Sequence, residues 1–207
     1  QVEFAKTIYG SGSDLLTLIN DILDLSKIES GTVTLESSEY RFATLRGYVE
    51  RTFCHMANAK KIDFSIELDK ALPVSVMTDT TRLQQILKNL LSNAFKFTAN
   101  GCVALRISLA EHGWTADNPN LAQADAVLAF SVTDTGVGIA SDKLQLIFEA
   151  FQQADGSTVR KYGGTGLGLS FSRELARLLN GEIRVESELG IGSTFTLFLP
   201  YNRDGFI

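Results

Sequence analysis

The sequence predicts an α+β fold: a two-layer sandwich of a mixed β-sheet and helices, preceded by one long amphipathic helix. Three observations lead there. Helical and strand-like segments are mixed without the regular βαβ alternation of a parallel sheet, a strong helix with a clean apolar stripe occupies the middle of the chain, and two strands flanking a tight turn close it. With 207 residues, 44% of them hydrophobic, the chain can bury one main core and support a short extra element.

In order, Leu15, Leu18, Ile19, Ile22, Leu25 and Ile28 recur at three- and four-residue spacing before Gly31, a good helix stop. Residues 1–29 therefore read as one helix. A lone helix cannot bury its own stripe, so this one needs a neighbouring helix, a second copy of the chain, or the body of the same domain. Residues 32–40 alternate as a strand, 42–59 read as a helix, 62–68 and 74–78 as strands, and 80–97 as the strong helix. Residues 103–110 and 127–133 read as a hairpin interrupted by a polar insertion, 111–125, taken as a variable surface loop. A Gly-rich turn, a short helix near 143–148, a loop to Gly164 and a helix from about Thr165 to Asn180 follow. The final strands, 182–187 and 193–199, precede a linker-like tail after Pro200.

Charge and cysteine usage exclude several classes. Net charge is −5, and Lys and Arg cluster nowhere densely enough for a nucleic-acid or membrane footprint. Cys54 and Cys102 lie in no metal-spaced pattern, which suits a reducing compartment, and both are expected to pack as small apolar groups. No run of eighteen apolar residues and no signal peptide is present; the chain opens inside a helical pattern, as if cut from something longer.

Four constellations carry chemistry. On the 80–97 helix, Gln85, Asn89, Asn93 and Lys96 share the face opposite the apolar stripe. Asparagine is a poor interior helix residue, so a pair at i and i+4 asks for a reason. Taken alone, the face reads equally as plain surface or as a groove in which an amide oxygen helps hold Mg²⁺ and Lys96 meets phosphate. Asp134-Thr135-Gly136-Val137-Gly138-Ile139 follows a strand, with glycines that admit close backbone approach and a carboxylate able to accept from an amino group. Gly163-Gly164-Thr165-Gly166-Leu167-Gly168-Leu169 enters a helix whose free N–H groups suit phosphates, and fits neither a P-loop nor a strand-fed dinucleotide turn. Gly190-Ile191-Gly192-Ser193-Thr194-Phe195 is by itself an ordinary hairpin turn.

The ordered set Asn89/Asn93, DTGVGI, Phe148 to Phe151, GGTGLGL and GIGSTF resembles the N, G1, F, G2 and G3 boxes of histidine kinases. LINDILDLSKIESG is similar to the second helix of their dimerization and phosphotransfer hairpin, and QQADGSTVRKYGGTGLGL resembles hybrid sensor kinases in particular. The resemblance covers nearly the whole chain. It implies the Bergerat ATP-binding sandwich shared with gyrase, Hsp90 and MutL, with residues 1–30 as the second hairpin helix, 31–200 as the catalytic domain and 201–207 as a linker to a further domain.

Position by position, it implies that Asp134 contacts the adenine amino group beside Gly136, Gly138 and Ile139, that Asn93 ligates Mg²⁺, and that Asn89 and Lys96 sit near the phosphates. Phe97 would lie against the nucleotide. Arg160, Lys161 and Tyr162 would flank the terminal phosphate from the lid, Gly164, Thr165, Gly166, Leu167, Gly168 and Leu169 would form the glycine loop and helix start, and Thr194 would complete the nucleotide site. Phe148 and Phe151 are read as support for the lid. Asn89, Lys96 and Arg160 form the implied catalytic set, with ATP and Mg²⁺ as cofactors.

The groove position that carries a water-activating Glu in the gyrase, Hsp90 and MutL relatives is Asn89 here, and an amide cannot take a proton from water. That difference favours transfer of the γ-phosphoryl to a histidine over hydrolysis, for onward relay to an aspartate of a receiver domain or response regulator. His55 and His112 are the chain's only histidines, and neither lies in a phosphoacceptor context. The acceptor helix is expected to precede Gln1, so the chain is expected to bind ATP without autophosphorylating. The resemblance further implies a cytoplasmic module, a parent that dimerizes through hairpin helices and that membrane attachment would suit, and no contact of this segment with nucleic acid or membrane.

Overall fold

The computed structural model describes residues 32–149 and 166–202, together with positions 12, 19, 23, 26–28 and 30. Five strands form a mixed sheet in the order β2-β4-β5-β7-β6, where β2 is Asp63–Leu68, β4 Cys102–Ala110, β5 Ala126–Asp134, β6 Glu182–Glu188 and β7 Gly192–Tyr201. Among the described strands of this sheet, β2 and β4 run parallel and the other pairs antiparallel. A separate antiparallel pair joins β1, Ser37–Arg41, to β3, Ser75–Asp79. The helices are α1, Phe42–Lys60, α2, Thr80–Phe97, the one-turn α3, Pro119–Ala122, and α4, Gly168–Leu178.

Alternation along the strands sorts the residues into two layers. Val103, Leu105 and Ile107 of β4, Leu128, Phe130 and Val132 of β5, and Phe195, Leu197 and Leu199 of β7 join one buried cluster with the helices. Into it α1 sends Phe42, Leu45, Val49, Phe53 and Ala57, and α2 sends Leu83, Ile86, Leu87, Leu90, Leu91, Ala94 and Phe95. These are the three- and four-residue spacings that put one helix face inward. Phe53 and Phe95 stack across the two helices with ring centroids 5.6 Å apart.

Helix ends are specified locally. Buried Asp79 caps α2 by accepting from Arg82 N–H through Oδ1 at 3.1 Å, while its Oδ2 accepts from Glu36 N–H at 3.1 Å. The segment leading into β1 is thereby tied to the start of α2. Helix α1 ends at Lys61 in the left-handed region (φ 55°), where the N–H groups of Lys61 and Ile62 meet the last-turn carbonyls of Asn58 and Ala57.

Several expectations are corrected. The 111–125 insertion is a cover rather than a loose loop: Leu121, Val127, Ala129 and Phe198 form a second buried cluster on the outer face of the sheet, with Ala110 and Trp114 against it. Glu182 holds the cover down by accepting from Thr115 N–H at 2.7 Å, Thr115 Oγ1 at 3.0 Å and Asn118 Nδ2 at 3.0 Å. The expected helix at 143–148 is two 3₁₀ turns, Ser141–Lys143 and Leu146–Phe148. Strand β1 begins only at Ser37, and β7 runs through Pro200 to Tyr201. Cys54 and Cys102 are both exposed and free. In the opening segment the described positions 12, 19, 23 and 26–28 are helical. Ile19 and Leu23 are exposed, while Ile28 packs on the main cluster.

Leu87→Ala removes a fully buried side chain of α2 and is expected to cost about 2–5 kcal/mol in chemical denaturation. Lys88→Ala, on the exposed side of the same helix, should change stability by no more than about 0.5 kcal/mol.

Candidate functional site

The polar face of α2 is not a solvated surface. Gln85, Asn89, Asn93 and Lys96 are all half-buried, whereas Lys88 between them is exposed. Burial pushes the Lys96 ammonium below its ordinary pKa, and its Nζ sits 5.0 Å from the centroid of the Phe97 ring. Asn89 donates from Nδ2 to Ser172 Oγ of α4 at 2.8 Å.

A second wall is built where β5 ends. Asp134 follows the inward parity of Phe130 and Val132, and its carboxylate is buried. Burial raises its pKa, and the backbone N–H groups of Gly136 and Ser193 hold it partly back. Gly136 N–H donates to Asp134 Oδ1 at 2.8 Å. Among the described residues this buried carboxylate has acceptor capacity to spare and no charged partner, the environment that a neutral donor such as an exocyclic amine suits.

The loop after Asp134 is clamped on both sides. Val137 N–H reaches the Phe97 carbonyl at the end of α2. On the other side Gly190 N–H donates to Val137 O at 2.8 Å, and Ile139 N–H to Ser187 Oγ at 2.8 Å. Gly138 has φ +66°, and a Cβ there would overlap the Glu188 carbonyl, so a side chain is excluded by both conformation and space. Sequence-distant motifs thus meet in one place. Asn89, Asn93, Lys96 and Phe97 lie on α2, Asp134 ends β5, and Gly136, Gly138 and Ile139 lie in the loop after it, which is tied to α2 through the Phe97 carbonyl.

The start of α4 closes the groove. A Cβ on Gly168 would lie 2.5 Å from Asn89 Oδ1, so only glycine lets this helix start come so near the α2 amide. Leu167 is buried, Leu169 packs half-buried on the main cluster, and Gly166 has φ +72°. Phe148 is buried edge-on against Phe195 at 6.4 Å, with the Arg173 guanidinium over its ring at 5.7 Å. Phe151, Arg160, Lys161, Tyr162, Gly164 and Thr165 lie outside the described residues.

One expected site residue is placed elsewhere. Thr194 lies on the outer face of the sheet, its Oγ1 3.0 Å from Thr133 Oγ1. The residue beside Asp134 is Ser193, paired with it across β5 and β7, buried, and in the same parity as Phe195 and Leu197. That parity was available in the sequence and points to Ser193. Ser172 and Thr98 stand in none of the motifs, and the fully buried Thr98 Oγ1 has no partner among the described residues.

Because burial raises the Asp134 pKa, the folded protein favours its neutral form. The sign follows: wild-type stability relative to Asp134→Asn is greatest below about pH 4 and falls as pH climbs through the raised folded value. Parallel melts of the two proteins from about pH 3.5 to 8 should show that trend, and a pH-independent difference would contradict it.

Residues 78–203 match the family model described as "Histidine kinase-, DNA gyrase B-, and HSP90-like ATPase". Among similar curated proteins, the autoinducer 2 sensor kinase/phosphatase LuxQ of Vibrio parahaemolyticus is 42% identical over 92% of this chain and 21% of its own length. Hybrid signal transduction histidine kinase B of Dictyostelium discoideum is 38% identical over 97% of this chain and 10% of its own. The chain thus spans at most about a fifth of these two relatives. Among solved structures, full-length ShkA in complex with AMPPNP superposes with a TM-score of 0.78 at 32% identity, over 98% of this chain and 39% of that one. The catalytic domain of histidine kinase ThkA gives 0.61 at 25% identity, over 83% of this chain and all of that one. The order of the motifs and the match over residues 78–203 agree, and the chain belongs to the family of histidine kinase-, DNA gyrase B- and HSP90-like ATPases.

Proposed function

We propose that this chain is the ATP-binding catalytic domain of a two-component sensor histidine kinase, donating the γ-phosphoryl of Mg²⁺-ATP to a histidine on a helix outside the chain. The observation that carries the choice is the composition of the half-buried α2 face: three amides and one ammonium, with no carboxylate to activate water. The resemblance of ShkA, described in complex with AMPPNP, supports ATP as the ligand. In transfer, the P–O bond to ADP breaks as a P–N bond to a neutral imidazole forms, and the site contributes placement and charge neutralisation.

Asp134 and Ser193 would read the adenine, Phe97 would pack beside it, and Asn89 and Lys96 would face the phosphates. The described residues contain no cluster of three His, Cys, Asp or Glu that could cage a metal. That suits Mg²⁺, which enters with phosphate oxygens and water and needs few protein ligands, here the Asn93 amide oxygen. Arg160, Lys161 and Tyr162 with Gly164 and Thr165 complete the proposal on the terminal-phosphate side. Bound Mg²⁺ would offset charge developing on the phosphates.

Further partners follow from the same reading: a receiver domain or response regulator downstream, and a second copy of the parent through the hairpin helices. The exposed Ile19 and Leu23 of the opening segment fit a helix that expects a partner. Neither His55 nor His112 is proposed as acceptor; both are exposed, on α1 and in the outer-face cover. Among the described residues no helix is long and apolar enough to cross a membrane.

Incubation with γ-labelled Mg-ATP should leave the chain itself unlabelled. Added in trans, the histidine-bearing helical hairpin of a similar kinase should gain acid-labile, base-stable phosphate. Steady phosphate release with no labelled acceptor would favour a hydrolase and overturn the proposal.

A further inference from the structure

We infer that Ser172 is a positioning residue for the phosphate side of the site, acting through Asn89; the inference rests on the reading of Asn89 given above. Ser172 is 1% exposed, a buried hydroxyl on α4 in a helix face otherwise filled by Phe171, Leu175 and Ala176. Burying a hydroxyl there is unfavourable unless it is bonded, and its recorded partner is the Asn89 amide at 2.8 Å. The terminal torsion of asparagine is soft and broad, so one hydrogen bond decides where the amide rests.

With Nδ2 committed to Ser172, Oδ1 is left toward Gly168 at the start of α4, and it accepts no hydrogen bond among the described residues. The same bond couples the groove helix to the helix that follows the glycine loop. A serine in a helix also suits the task sterically, since its short hydroxyl reaches the neighbouring helix only when the two lie close, as the glycine at position 168 allows.

The test is a double-mutant cycle read by calorimetric titration of Mg-ATP and, separately, adenosine. Ser172→Ala should weaken Mg-ATP by roughly fivefold, leave adenosine unchanged, and have no further effect once Asn89→Ala is present. Ser172→Thr, which keeps the hydroxyl, should retain most of the affinity. Wild-type Mg-ATP binding by Ser172→Ala, equal losses for both ligands, or additive losses with Asn89→Ala would each overturn the positioning role. An Asn89→Ala variant that binds Mg-ATP like the wild type would overturn the placement of Asn89 itself, and this inference with it.

Discussion

Helix α2 has to satisfy two environments at once, and most of the structure follows from that demand. One side delivers seven buried residues to the core against the sheet, and the other keeps four polar side chains half-buried in a groove. A helix with a single buried stripe would tolerate almost any polar residue on its far side. This one does not, because α4 and the loop after β5 both close on that side. Asp79 fixes where the helix begins, and the Phe97 carbonyl receives the β5 loop where it ends. Asn89, Asn93 and Lys96 thus share one helix whose C-terminal end is tied to the loop that follows Asp134.

Asp134 is the local cost of this arrangement. Two backbone N–H groups do not offset its burial, and its pKa stays raised. Gly136 and Gly192 bring backbone close around Asp134, and the Gly136 N–H donates to its carboxylate. Burial of such a carboxylate is tolerated on a frame whose stability comes from elsewhere. Here the frame is the cluster of Phe53, Phe95, Phe130 and their neighbours, and the outer cover anchored by Glu182 guards the opposite side of the same sheet.

The periodic elements were legible in the sequence for physical reasons. α2 matches its expected span, and the strands after β1 fall within about two residues, because periodic burial marks them, whereas β1 starts only at Ser37 instead of residue 32. What was missed lies where periodicity carries no information. The 111–125 cover looks polar, yet Leu121 and Trp114 pack on the cluster of Phe198, and its anchor Glu182 is 67 residues from Thr115 in sequence. Cys54 and Cys102 were assigned to the interior by residue type, and strand and helix parity turned both outward. Thr194 was chosen by motif where parity selects Ser193. The bond from Asn89 to Ser172 joins positions 83 apart and leaves no local trace.

The central claim, that Asp134 is the base-reading carboxylate of an ATP site, is tested most directly by calorimetric titration of Mg-ATP into wild type and Asp134→Asn. Removing a charged hydrogen-bond partner should cost about 2 kcal/mol or more, roughly a thirtyfold loss of affinity. Equal affinity in the two proteins, or no binding to either, would contradict the account.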